Sequence, residues 1–137
     1  MTTIIDAAGA TLGRLSTTTA KRLINGEEIA VVNSEKAIIS GKKSAIKKKY
    51  KQKIEVGTYR KGPFFPRMPE KIVKRTVRGM IPYQKPQGRA AFKRLKCYIG
   101  IPKEFEGKKF ENIKEAEKQP IDFITIEELS RSLGAKI

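Results

Sequence analysis

The first forty positions carry their apolar residues in short blocks separated by turn formers. Thr2 to Asp6 reads as a strand. A glycine-containing turn follows, then a helix over about Leu12 to Asn25 that Gly26 closes at the C′ position. Its Leu12, Leu15, Ala20, Leu23 and Ile24 fall roughly on one face. "EIAVVN" is a β-branched run bounded by turn residues, and "KAIIS" is a second short strand pattern. Strand, helix and strand with continuous apolar runs predict an α/β domain whose sheet is covered on both faces.

The pattern then changes. In "SGKKSAIKKKYKQKIEVG" the apolar positions thin to Ile46, Tyr50 and Ile54, spaced i, i+4, i+8, a narrow stripe for a helix ending near Gly57 and resting on the sheet. Lysines fill the remaining faces, with no acid at i±4 until Glu55. "GTYRKGPFFPRMP" is a loop stiffened by proline, and Phe64 and Phe65 read as its anchors to the core. From Pro69 a helix is well signalled. Proline fits the first turn, Glu70 suits the positive end, and Ile72, Val73, Thr76, Val77 and Met80 follow the helical period. Lys71, Lys74, Arg75 and Arg78 occupy the other face. A turn, a short helix and a strand at Lys96 to Ile99 come next, with Arg89, Lys93 and Lys96 as a second basic row. The tail "IDFITIEELSRSLG" predicts a strand and a helix with a Thr125/Glu128 capping box.

Charge sharpens this picture. The chain of 137 residues has a net charge of +16, and its length fits one domain. Residues 1–40 hold four basic and four acidic side chains, and residues 111–137 hold four and six. Residues 41–110 hold 22 basic and four acidic, so the whole excess lies in the middle. Blocky positive charge predicts attraction to a polyanion. Aromatic residues Tyr59, Phe64 and Phe65 interleave with Arg60, Lys61 and Arg67, a mixture suited to RNA, where cations meet phosphates and rings meet bases.

Candidate catalytic chemistry is thin. There is no histidine and one cysteine, Cys97, so no internal disulfide, zinc cluster or histidine-based triad is available. Cys97 reads as a packing residue. "GATLGRLS" follows a strand and opens a helix, but Gly9 and Gly13 are separated by three residues and Arg14-Leu15 follows, which fails the phosphate-loop spacing. Arg14 could still meet a phosphate at that helix start. Asp6, at a strand end, reads as a turn cap. No cofactor or metal is expected. The N-terminus shows no signal-peptide pattern and no apolar run reaches spanning length, which predicts a soluble, cytoplasmic protein without membrane contact.

The strongly basic stretch "RTVRGMIPYQKPQGRAAFKRLKCYIG" carries a more specific clue. "VRGMIP" at Val77 to Pro82, five residues, Gly88-Arg89, five more, then "LKCYIG" at Leu95 to Gly100 resembles the signature of the ribosomal protein L-thirteen family of the large ribosomal subunit. "IIDAAGATLGRLS" and "VVNSEKAIISGKK" are similar to that family's pattern too. "YRKGPFFPRMP" matches its archaeal form, where bacterial members have histidine and a Tyr-Pro-Gly-Gly turn. The resemblance covers about residues 2–102. It implies a three-layer α/β/α sandwich with a mainly parallel four-stranded sheet. It also implies a non-enzymatic place in the large subunit, bound to large-subunit (23S) rRNA beside neighbouring ribosomal proteins, with a part in early assembly. The alternative it leaves is an extra-ribosomal translational repressor that binds mRNA; no small-molecule substrate is expected.

The residues expected to contact rRNA are Arg14, Lys42, Lys43, Lys47, Lys48, Arg60, Lys61, Arg67, Arg78, Arg89 and Lys93. Their expected role is displacing condensed counterions from folded RNA.

Overall fold

The computed structural model describes residues 2–57, 60, 62, 64–116 and 120–136, and structural statements refer to these. Strands β1 (Thr2–Asp6), β2 (Glu28–Val32) and β4 (Leu95–Cys97) form a parallel sheet in the order β1-β2-β4. Its register pairs Ile4 with Ala30 and Ile29 with Leu95. Helix α1 (Leu12–Ile24) makes the crossover from β1 to β2. It stops at Asn25, and Gly26 takes the left-handed φ of 99° that lets the chain reverse into β2. The carbonyl of Leu23 at that helix end accepts from the Gly26 amide at 3.0 Å and from the Arg94 guanidinium at 2.6 Å. The tip is further tied by Arg22, which donates to Glu27 at 2.6 Å and Glu111 at 2.7 Å.

Side chains alternate across the sheet with period two. Ile5, Ile29, Val31 and Leu95 face the main core, made with Leu15 and Leu23 of α1, Ile72, Val73 and Val77 of α3 (Pro69–Arg78), and Ala91 of α4 (Pro86–Lys93). Ile4, Ala30 and Val32 face a smaller cluster with Phe105, Tyr98 and Phe110. Both faces are therefore covered, as the continuous apolar strands require. Among the described residues, though, a 3-10 turn at Lys103–Phe105 and extended chain cover the second face, in place of the helix layer a three-layer sandwich implies. Tyr98 and Phe105 meet there edge to face, 5.7 Å between centroids.

The expected fourth strand also differs. β3 (Ile38–Ser40) pairs antiparallel with β5 (Phe123–Thr125), Ile39 opposite Ile124, and reaches the N-terminal unit through a bridge to Thr11. The cause lies just after β2. Asn33 takes a left-handed conformation (φ 56°) and a 3-10 turn at Ser34–Lys36 redirects the chain. That corner is held by Glu35, which accepts from the Gly100 amide at 2.9 Å. At the outer edge of β1, Glu111 makes an isolated bridge, accepting from the Asp6 amide and donating to the Ile4 carbonyl.

Helix α2 (Lys43–Glu55) buries Ile46 and Tyr50 and half-buries Ile54, so the stripe is real. It packs beside β5 of the two-stranded sheet and against Phe65. The tail is structural: Ile124, Ile126 and Leu129 are fully buried, and α5 (Ile126–Ser132) begins at Thr125, whose hydroxyl accepts from the Glu128 amide at 3.2 Å.

Candidate nucleic-acid interface

The basic signature stretch folds into two helices joined by a tight turn. α3 ends at Arg78 with Gly79 as its C-cap. The turn is closed by backbone bonds from Met80 to Val77 (2.9 Å), Tyr83 to Ile81 (2.8 Å) and Lys85 to Pro82 (3.0 Å). α4 then begins at Pro86, and Gly88 lies directly on the turn. A Cβ added at Gly88 would sit 1.8 Å from the Pro82 carbonyl oxygen. The five-residue spacing from Pro82 to Gly88 thus has a steric cause: the helix backbone rests on the turn backbone, and only glycine permits it.

This join places aromatic rings under cations. Tyr83 and Phe92 meet edge to face at 5.3 Å, with the Arg78 guanidinium 4.3 Å from the Tyr83 centroid and the Lys74 ammonium 5.0 Å from that of Phe92. Tyr50 and Phe65 form a second edge-to-face pair at 5.7 Å. Lys53 lies 4.7 Å from the Tyr50 centroid and 5.2 Å from that of Phe65, and Arg75 lies 5.8 Å from Phe65. Burial, and then the charge of Lys49, pull the Lys53 ammonium below its usual pKa. Each contact is worth about 0.5–1 kcal/mol at an exposed site. Rings hold these cations in place without cancelling their charge. Among the described residues, the ion pairs are made elsewhere, by Arg22, Lys43, Lys47, Lys51 and Arg131.

Helix α2 supplies a different kind of surface. Lys42, Lys48 and Lys49 are exposed. Lys43 and Lys47 each reach Glu128 of α5, at 3.3 and 3.8 Å, and Lys51 reaches Glu55 at 4.0 Å. The absence of nearby acids in the α2 sequence therefore does not leave Lys43 and Lys47 unpaired. Their partner, Glu128, arrives from the tail, where the tertiary fold brings it.

The other expected contacts are scattered in sequence. Arg89 and Lys93 are exposed on α4, but Lys96 belongs to β4, so the row predicted through it ends with the helix. Arg14 is exposed in the first turn of α1, whose Thr17 hydroxyl touches the Met80 sulfur at 3.5 Å. Arg60 and Arg67 are exposed, and the Arg67 guanidinium lies near Gly134 at the end of α5. Lys61 and Tyr59 lie outside the described residues. Phe65 anchors the loop, whereas Phe64 is 66% exposed and does not. Met80, expected in the buried stripe of α3, lies past the helix end and is exposed. The cations missed as candidates are Lys53, Lys74, Arg75 and Lys85. Only the Tyr50/Lys53 spacing, one helical turn, signals its contact locally.

The remaining chemistry is structural. Asp6 accepts from the Ala8 amide and the Asn33 side chain, both at 3.0 Å, capping the turn after β1. Cys97 is half-buried against the main core as a packing residue, and burial pushes its thiol up to about 12. Among the described residues, no group of His, Cys, Asp and Glu is placed to hold a metal, and no helix is long and apolar enough to cross a membrane.

Sequence comparison with known proteins finds relatives over nearly the whole chain. A family model described as ribosomal protein L13 matches residues 1–104. Large ribosomal subunit protein uL13 of Archaeoglobus fulgidus is 49% identical over 136 residues, covering 96% of this chain and 87% of its own. The uL13 of Methanosphaera stadtmanae is 48% identical over 141 residues, 99% of each chain, and that of Methanocaldococcus jannaschii 47% identical over 143, 98% of each. The match runs from β1 into the 3-10 turn beyond β4, including the α3–α4 join and its glycine contact, and the chain belongs to the ribosomal protein L13 family.

Proposed function

We propose that the chain is a structural constituent of the large ribosomal subunit that binds large-subunit rRNA through its basic surface. It acts as one domain, with residues 41–110 as the RNA-facing segment, and supports early subunit assembly beside neighbouring ribosomal proteins. The observation that carries this reading is the set of ring-braced cations on α3, Lys74, Arg75 and Arg78, which keep their charge while losing mobility. Family membership points the same way. The proposed contacts are Arg14, Lys42, Lys43, Lys47, Lys48, Arg60, Lys61, Arg67, Arg78, Arg89 and Lys93, now joined by Lys74, Arg75 and Lys85. Such contacts read the backbone and shape of A-form RNA more than its sequence.

Binding to large-subunit rRNA should weaken about a thousandfold between roughly 50 and 200 mM salt if about six phosphates are neutralised. Replacing exposed Lys48 and Lys49 with glutamate should leave the protein folded but keep it out of large subunits in a sedimentation assay. Lys47 is better left alone, because a carboxylate there would face Glu128. A salt-insensitive complex, or normal incorporation of the double variant, counts against the reading. Stoichiometric sedimentation with large subunits also separates it from the mRNA-repressor alternative, which has no structural feature of its own to favour it.

A further inference from the structure

An open cleft of about 520 Å³ lies against the turn between α3 and α4. Arg75, Arg78 and Lys85 line it, with Tyr83, Gln84 and buried Ile81, and among the described residues none that lines it is acidic. Three cations around one concavity match a phosphodiester group. Duplex RNA would need no more than that, because its bases are stacked away inside the helix. The cleft offers more. One guanidinium, Arg78, is held over the Tyr83 ring at 4.3 Å, and Tyr83 is braced edge-on by Phe92 at 5.3 Å. A planar guanidinium fixed in this way has a second face on which a base can stack. Beside it, Gln84 is exposed and carries both amide donors and a carbonyl acceptor for a base edge. The walls are rigid, since the turn is hydrogen-bonded within itself and rests on Gly88.

We infer that this cleft receives one unpaired ribonucleotide of an RNA strand, its phosphate among Arg75, Arg78 and Lys85 and its base against Arg78 and Gln84. The inference rests on the rRNA-binding reading above and adds the class of nucleotide that the surface selects.

The test compares two RNA hairpins of equal length, one fully paired and one with a single-nucleotide bulge, by filter binding to the full chain at low salt. Arg78→Lys keeps the charge and removes the guanidinium plane. It should weaken the bulged hairpin about tenfold, in line with the loss of one stacked base, and at least about fivefold more than it weakens the paired hairpin. A second variant, Tyr83→Leu, removes the platform under Arg78 and should discriminate in the same sense, with circular dichroism confirming the fold. Equal losses on both hairpins, or none, overturn the nucleotide cleft while leaving general RNA binding intact. Failure of the unaltered protein to bind either hairpin overturns the RNA reading itself. Free AMP should show no saturable uptake in calorimetry at micromolar concentration. Tight uptake of AMP would overturn the assignment to an RNA strand.

Discussion

Gly88→Ala sets two effects of opposite sign against each other. Within a helix, alanine is intrinsically favoured over glycine by about 1 kcal/mol, so propensity alone predicts a more stable protein. The structure predicts the reverse. The new Cβ would lie 1.8 Å from the Pro82 carbonyl oxygen, 2.2 Å from its carbon and 2.8 Å from the Tyr83 nitrogen. Ordinary contact begins near 3.4 Å, so α4 and the turn must separate by about 1.6 Å, the difference between 3.4 and 1.8 Å. Backbone on both sides leaves no flexible side chain to yield, and Ala91 and Leu95 just beyond are buried. Overpacking of this kind costs about 3 kcal/mol, which leaves a net loss of about 2 kcal/mol after propensity is counted. Gly13→Ala is the control: it sits in the first turn of α1 with nothing within 4 Å of the place its Cβ would take, and should gain up to about 1 kcal/mol. Urea unfolding of the three proteins gives the answer. Gly88→Ala should lower the midpoint by about 1 M, for a slope near 2 kcal/mol per molar, and Gly13→Ala should raise it slightly. A Gly88→Ala midpoint equal to or above that of the unaltered protein would refute the steric account of the signature spacing.

Two further predictions concern the charges. Glu128→Gln frees Lys43 and Lys47; because all three side chains are more than a third exposed, stability should change by less than about 1 kcal/mol. Affinity for large-subunit rRNA at low salt should rise about threefold, and a filter-binding curve that stays put or weakens would show that this part of α2 does not face RNA. Cys97 has its thiol raised from 9.0 to about 12 by burial, so its contribution to stability is complete below about pH 9 and is lost as pH rises from there through 12. Unfolding free energies measured across that window should fall less steeply in Cys97→Ala, and native Cys97 should resist iodoacetamide at pH 8 but react in urea.

Legibility in the sequence followed the range of the interaction. The strands at Thr2–Asp6 and Glu28–Val32, the helix from Pro69 and the helix stop at Gly26 were readable because caps and periods act within one or two turns. β3 was readable as a strand but not as a partner of β5, since three residues carry no register and the pairing spans Ile39 to Ile124. The Lys43–Glu128 contact bridges 85 positions, so no local charge pattern could reveal it. Phe64 and Phe65 differ for a related reason. In a proline-rich loop no period decides which ring turns inward, and Tyr50 on α2 supplies the contact that selects Phe65. The signature spacing was visible as a pattern, while its cause, backbone resting on backbone at Gly88, needed three dimensions.

The two basic surfaces differ in when their side chains are ordered. Lys48 and Lys49 stand exposed on α2, and a lysine stem that is fixed only on binding gives up rotamer freedom worth up to about 2 kcal/mol. Such groups suit an irregular phosphate array, because they can follow it, but they discriminate poorly among arrays. Lys74, Arg75 and Arg78 are half-buried against rings and are already restrained in the folded chain. Less ordering remains for them on binding, and their fixed positions penalise a phosphate that arrives out of place. Under the proposed rRNA-binding reading, attraction and selection divide between α2 and the α3–α4 join. Replacing α2 lysines should flatten the salt dependence for every RNA alike, whereas loosening the join should erode the distinction between well-shaped and poorly shaped RNA while much of the attraction persists.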